Sequence, residues 1–484
     1  MMMTSTTEKA VVHPHPQRWA VLGVLCLSVM VVVLDNTVLN VAIPSISTGL
    51  DASTADIQWM INAYSLALAG LLLTTGSLSD RFGRKRALLA GLALFGAGSA
   101  VAAYATSSEA LIAARGFMGI GAAVLMPGTL AVLMQLFDDE ERPKAIGIWA
   151  AVSSLGFAAG PVIGGALIKH FWWGSVFLIN VPVALLAVAA VAFLVPESKD
   201  PTVRRPDVLG SILSIVGMVS VVYAVIEVPE HGFGSAEFGV PVAIGLVTMT
   251  GFALWERHTT DPMLDLGFFG NRRFTGAVAS GVLAAFGMAG SLFLLTQHLQ
   301  GVLGYSPLEA GVRVAPMAIA LLITSNTLGQ LVIKLGAGRA MLLGMTIVAG
   351  GVALLSIGTT YPPTLAGLVL IGVGVGVSQP VAVNALMGSI PPERAGIASG
   401  LSGTLTELGS SFGIAVLGAL LSARFVASLP EGVPGRSLSE ALHSGADITV
   451  VREAFSNGMS VSLAVGAVAV FLGGVVASVL LRRA

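Results

Sequence analysis

Fourteen apolar runs, each about 20 residues long, recur along the chain and constrain its fold more than any other feature. Such a run covers the roughly 30 Å hydrocarbon core of a bilayer as an α-helix, in which the backbone polar groups satisfy one another. The runs lie near residues 19–43, 57–78, 87–104, 110–136, 145–168, 173–195, 208–227, 238–256, 273–296, 307–333, 340–359, 364–388, 395–421 and 459–481. Charged residues make up only 11% of the 484, against about a quarter in a soluble chain, so there is too little charge for an ordinary water-facing surface. A transmembrane β-barrel is excluded because its strands alternate lipid-facing and lumen-facing residues, and no such alternation appears. The expected fold class is all-α and integral to a membrane. The first run is too long for a signal-peptide core, lacks a small-residue cleavage site and carries an acid, so it counts as the first spanning helix. The lone Cys26 excludes an intrachain disulfide and reads as packing.

Lysine and arginine are retained on the cytoplasmic side of a membrane. With the N-terminus inside, nineteen of the 25 basic residues fall in inner segments, Lys169, Arg424, Arg436 and Arg452 fall outside, and Arg115 and Arg313 lie within runs. Both termini are therefore expected to be cytoplasmic, in a multi-pass plasma-membrane protein. Shifting the sequence by 253 residues exposes an internal repeat: "GSLSDRFGRKRALLAG" (76–91) matches "GQLVIKLGAGRAMLLG" (329–344), and "GIGAAVLMP" (119–127) matches "GVGVGVSQP" (372–380). The expected organisation is a tail (1–17), a first six-helix bundle (18–196), two inserted helices (197–258) and a second six-helix bundle (259–484). Parallel halves of that kind enclose a midplane cavity and work by rocking. The long outer loop 424–457 reads either as a short helix sheltering the outer mouth or as a flexible connector.

Three motifs stand out. "GSLSDRFGRKR" (76–86) combines Gly76 and Gly83, which permit a tight turn, with Asp80, which can cap the next helix or pair with a nearby arginine, and with Arg81, Arg84, Lys85 and Arg86, which face anionic lipid. A simple topogenic basic loop is the alternative, but positive-inside sorting needs no acid. "RGFMGIGAA" (115–123) opens with an arginine inside a run. "GFAAGPVIGG" (156–165) sets Gly156, Gly160 and Gly164 on one stripe, followed by Gly165, so another helix can approach closely, while Pro161 frees a carbonyl. These resemble, in order, the helix 2–3 loop signature, the helix 4 signature and the antiporter helix 5 motif of the major facilitator superfamily. With "LDNTVLNVAIP" in the first run, nearly the whole chain is similar to the fourteen-helix drug:proton antiporter branch, which includes bacterial multidrug, quaternary-ammonium and antibiotic exporters. The resemblance implies proton-coupled efflux of lipophilic cationic small molecules by alternating access. It also implies a gating latch at the 76–86 loop and a flexible fifth helix between the bundles. A proton gradient would be the energy source with no cofactor or metal; the protein would work as a monomer in the lipid bilayer, with no nucleic-acid partner and no enzymatic activity. In the second loop copy Ile333 stands where Asp80 would be, so an equal second latch is not expected.

An unpaired charge at the bilayer centre costs at least about 2.5 kcal/mol, so one kept there faces a cavity or a partner. Asp35 lies roughly 24 Å along its helix from the cytoplasmic end, with Asn36 and Asn40 extending a polar face. Such a carboxylate can take or release a proton, or attract a cation; a structural acid bonded to a neighbouring helix is the alternative. Glu407 shares a stripe about 60° wide with Gly400, Thr404 and Ser411, which suggests a polar interior. The resemblance implies that Arg115 stabilises or senses a carboxylate across the bundle, and it favours Asp35 as the general coupling group and Glu407 as the cation-recognition group. Trp59, Tyr64, Trp149, Phe157, Phe286 and Phe412 are candidates for an apolar pocket, with packing as the alternative. His298 reads as an interfacial hydrogen-bonding group, and Arg313 with Glu309 as an outer pair that snorkels. No metal-ligand cluster, phosphate-cradling loop or nucleophile arrangement is evident. A dedicated exporter of a lipid, siderophore or self-made antibiotic, and a non-transporting membrane sensor, remain open.

Overall fold

A computed structural model describes residues 17–138, 140–199, 206–327, 335–358, 360–390 and 395–482. The N-terminal tail, Ile333 and basic residues Lys9, Arg204, Arg205, Lys334, Arg394 and Arg483 lie outside the described residues. Among the described residues, fourteen helices are long and apolar enough to cross a membrane. They are α1 Arg18–Leu50, α2 Thr54–Phe82, α3 Arg84–Ala103, α4 Ser108–Leu136, α5 Arg142–His170 and α6 Ser175–Leu194. Then follow α7 Val208–His231, α8 Ala236–His258, α9 Arg272–Gln297, α10 Pro307–Thr327, α11 Ala337–Ser356, α12 Tyr361–Met387, α13 Ala395–Ser428 and α14 Ile448–Arg482.

Local chemistry sets the helix starts. Ser53 and Asp56 form a reciprocal capping box on α2, Ser107 caps α4, Asp207 caps α7 and Ser235 caps α8. Gly83, with φ of 118°, makes the turn into α3, and its counterpart 253 residues on, Gly336, makes the turn into α11 with φ of 76°. The same offset governs packing. A Cβ on Gly121 would lie 2.8 Å from the carbonyl of Gly91, and one on Gly374 would lie 2.6 Å from that of Gly344. A Cβ on Gly119 would likewise strike the carbonyl of Tyr64, and one on Gly372 that of Met317. These crossings let α3 and α4, α11 and α12, α2 and α4, and α10 and α12 touch backbone to backbone.

Helices from the two ends of the chain meet along two seams, α2 against α13 and α5 against α10. At the first, Gln58 donates from its amide to the carbonyls of Ile414 (2.7 Å) and Ala415 (3.1 Å), and Thr404 donates to that of Ala69 (3.1 Å). At the second, Gly165 lies against Pro307 and Leu308, and Gly311 against the Pro161 carbonyl. Helix α7 lies across the first seam, touching both α2 and α13, whereas α8 packs chiefly on α7.

The 424–457 segment is not one long loop. Helix α13 runs on to Ser428 and α14 begins at Ile448, because a helix continues past the apolar stretch that lipid demands. Between them the short helix Leu438–His443 folds over the end opposite the 76–86 loop. Its Ser439 hydroxyl bonds Thr48 of α1 (2.7 Å), and the carbonyl of Arg436 accepts from the Thr54 amide (2.8 Å). It roofs a cavity of about 530 Å³ walled by Pro44, Thr48, Gln297, Gln300 and Tyr305.

Candidate functional site

Asp35 is 1% exposed and paired with Arg115 of α4, which is fully buried. The other carboxylate oxygen accepts from the Asn180 amide (2.8 Å), which also reaches Ser99 of α3 (3.3 Å). Asn180 stands where α6 breaks between Ser175–Leu178 and Asn180–Leu194, so the interruption turns its side chain toward α1. Arg115 Nε donates to the Met60 carbonyl (3.1 Å), and the guanidinium lies 4.2 Å from the centre of the Tyr64 ring. Arg115 Nη2 and the Tyr64 hydroxyl have no hydrogen-bond partner. Asp35 therefore does not line an open cavity. Asn36 and Asn40 lie on a separate, partly exposed face of α1, so the expected continuous polar face is corrected: three residues at 100° steps span both the packed and the open side.

Glu407 differs at every point. It is partly exposed and, among the described residues, forms no ion pair and keeps one carboxylate oxygen buried without a donor. Its side-chain hydrogen-bonding neighbour is Ser65 of α2, and its charge acts on both Arg115 and Tyr64. The expected polar interior is instead the α2–α13 seam, since Gly400 lies under Leu73, Thr404 is tied to Ala69, and Ser411 is fully buried. Helix α2 thus stands between the two acids, presenting Tyr64 to one and Ser65 to the other.

The aromatic candidates separate. Trp59 and Phe412 join Leu66, Val222, Ile226 and Ala415 in the cluster that seats α7, with Trp59 5.8 Å from Tyr223. Tyr64 lies under Arg115, and Phe286 is buried with its backbone against Gly413. Trp149 packs on the main core. Phe157 lines a cavity of about 250 Å³ that it shares with Ser153, Met288, Leu321, Gln379 and Thr406. Glu407 follows Thr406 directly in α13.

In the 76–86 loop Asp80 accepts from Arg84 (2.6 Å), one of its two expected options. Gly76 lies beside Pro127, and Arg81 is exposed over Phe82. The expectation that the remaining cations face lipid needs correction. Lys85 Nζ donates to the Ala192 carbonyl (2.6 Å), Arg86 lies 3.6 Å from Glu197, and the Arg84 amide donates to the Ser198 carbonyl (3.0 Å). The end of α6 thus holds the loop. The helix 5 glycines face two partners: Gly156 meets Met30, Gly160 meets Thr37, and Gly164 meets Val38 of α1, while Pro161 and Gly165 face α10. His298 is buried with neither ring nitrogen hydrogen-bonded, and Arg313 is stacked on Tyr305 (3.8 Å) and Tyr361 (5.3 Å) rather than snorkelling. Glu227, Glu230 and His231 bring their ligand atoms within 4.8 Å of one another through helical spacing, a grouping the sequence reading passed over.

The description Major Facilitator Superfamily matches residues 25–414. The chain is 36% identical to the multidrug efflux pump LfrA of Mycolicibacterium smegmatis, over 96% of each chain. It is 33% identical to the tetracenomycin C resistance and export protein of Streptomyces glaucescens, over 94% of this chain and 90% of that one. It is 34% identical to the methyl viologen resistance protein SmvA of Salmonella typhimurium, over 88% of each. Among solved structures, a bacterial homologue of the human lysosomal transporter Spinster superposes with a TM-score of 0.71 at 18% identity, covering 97% of this chain and 98% of that one. Fourteen helices among the described residues long and apolar enough to cross a membrane, a loop signature clasped by its own arginine, an arginine buried in α4 and this kinship make the chain a member of the major facilitator superfamily.

Proposed function

We propose that the protein exports lipophilic, cationic small molecules across the bacterial plasma membrane by proton-coupled alternating access, as a monomer with both termini in the cytoplasm and no cofactor. Drug, methyl viologen and antibiotic resistance among the relatives supports the cargo class. The observation that carries the coupling is the placement of two intramembrane acids on either side of α2, one sealed in an ion pair and one without a cation. A proton reaching Asp35 neutralises the charge that holds Arg115, and the freed guanidinium has Tyr64 as its next contact and Glu407 within electrostatic reach. Asp35 is then the coupling group for every cargo, while Glu407, set against Ser65 of α2 with one oxygen lacking a donor, attracts the charged ones. The test is flux through purified variants in proteoliposomes under an imposed pH gradient, with a neutral, a monovalent and a divalent compound. Asp35→Asn stops uphill flux of all three, and Glu407→Gln spares the neutral one. Full coupling in Asp35→Asn, or equal loss of all three in Glu407→Gln, contradicts the assignment.

A dedicated exporter of one self-made antibiotic is the second reading, favoured by the kinship with the tetracenomycin C exporter. A compound panel in the same assay separates it from a broad pump, and absence of net flux for all compounds would point to a sensor.

A further inference from the structure

A second pair of acids lies where the inserted helices meet α2, on the membrane face that carries the 76–86 loop. Asp207 caps α7: one of its oxygens accepts from the Gly210 amide (2.8 Å) and the Trp255 indole (2.8 Å), and the other accepts nothing. Glu256, near the end of α8, is 4% exposed; one oxygen accepts from the Leu264 amide (3.0 Å), and the other is buried without a partner. The two orphan oxygens face the same spot. A Cβ placed on Gly210 would meet both of them, the Glu256 oxygen at 2.7 Å, so only glycine leaves room for the pair. Neither acid forms an ion pair among the described residues. The charge that bears on Glu256 is that of Asp207. Among the described residues, Arg257 and His258 of α8, Arg272 and Arg273 of α9, Arg81 of α2 and Lys199 are exposed, and the α8–α9 segment adds the acids Asp261 and Asp265; Arg204 and Arg205, which precede Asp207, lie outside the described residues.

Two carboxylate oxygens that face each other with no donor between them repel when both are ionised, and a single proton turns the repulsion into a hydrogen bond. We infer that Asp207 and Glu256 form a proton-binding site in which one shared proton clasps α7 to α8 and to the segment leading into α9. The surroundings give the clasp its reach. Ser211, one turn into α7, contacts the Thr74 hydroxyl of α2, and both hydroxyls point at the Met263 sulfur (3.7 and 3.5 Å), next to the Leu264 amide that Glu256 holds. Protonation is therefore felt by the α8–α9 connection and by α2, and it occurs apart from Asp35 and Glu407. The inference does not depend on which cargo is carried.

The experiment is hydrogen–deuterium exchange of the full chain in detergent from about pH 5 to about pH 9, corrected for intrinsic exchange and read on peptides covering 207–213 and 255–266. The wild-type protein loses about tenfold or more of its protection there as pH rises and the shared proton leaves. In Glu256→Gln, whose amide supplies the donor permanently, protection stays high and flat with pH; Asp207→Asn behaves likewise while keeping the helix cap. Identical pH profiles in wild type and both amide variants overturn the proposal. So does recovery of wild-type protection at high pH on adding magnesium or calcium chloride, which would make the site one for a divalent cation instead.

Discussion

Asp35 and Glu407 are carboxylates at similar depth in one membrane protein, yet their surroundings oppose each other. Asp35 has a cation, an amide and no access; Glu407 has a hydroxyl neighbour, an orphan oxygen and partial access. A buried ion pair is costly to break from one side, because the remaining charge stays desolvated, whereas an unpaired acid can be neutralised with little structural penalty. The contrast is what the proposed division of labour rests on: on that proposal the sealed acid serves the conformational machinery and the unpaired one serves what passes through.

The widest gap should appear in transport. Asp35→Asn abolishes gradient-driven uphill flux of every compound, while Glu407→Gln weakens divalent cations and leaves neutral cargo near wild-type rates. Stability should divide the two acids next. Arg115→Met strands Asp35 and lowers unfolding free energy by about 3–5 kcal/mol, while Glu407→Gln changes it by under about 1 kcal/mol. Melting curves in one detergent decide this, and equal losses would erase the distinction. A smaller effect is expected at Ser65, the neighbour of the open acid alone: Ser65→Ala alters affinity for a divalent compound by a few-fold, about 0.5–1.5 kcal/mol, and leaves neutral cargo unchanged in equilibrium binding. Asp80→Asn, distant from both acids, should slow turnover without altering binding of any cargo; unchanged turnover in an inserted protein would reduce the loop to topogenesis. Last, the side from which each acid is reached follows from orientation. After Cys26→Ser, Glu431→Cys should react with an impermeant thiol reagent in intact cells with no loss of transport. Ser437 is a poor reporter, since it is 7% exposed.

Much of this was legible in the sequence because lipid imposes one rule on every spanning segment. Apolar length alone located fourteen helices, and glycine spacing anticipated the contact of α5 with its neighbours. The acids themselves were visible as charges in apolar runs, but their partners were only half visible. Arg115 stood out as a charge; Asn180 and Gln58 did not, because one amide in an apolar run carries no periodic signal and its importance arises only when another helix arrives. The helical wheel placed Glu407, Thr404 and Ser411 on one face, yet a wheel names no neighbour, and the neighbour proved to be α2 rather than a cavity. Glu197, just past α6, was equally silent until the fold brought it to Lys85 and Arg86.

The short helix Leu438–His443 and the residues just before it belong by covalent connection to the last two helices, but they are bonded to the first two through Ser439 to Thr48 and Arg436 to Thr54. Opening that mouth must exchange those bonds for water, at a net cost of about 0.5–1.5 kcal/mol each, small enough to happen in every cycle. In the proposed orientation, with both termini in the cytoplasm, the same geometry leaves a composite patch on the outside of the cell that exists only while the mouth is shut. A rigid binder gripping Glu431, His443 and the exposed end of α1 together would add its own affinity to that state. It would stall the pump from outside without entering the membrane or competing with cargo.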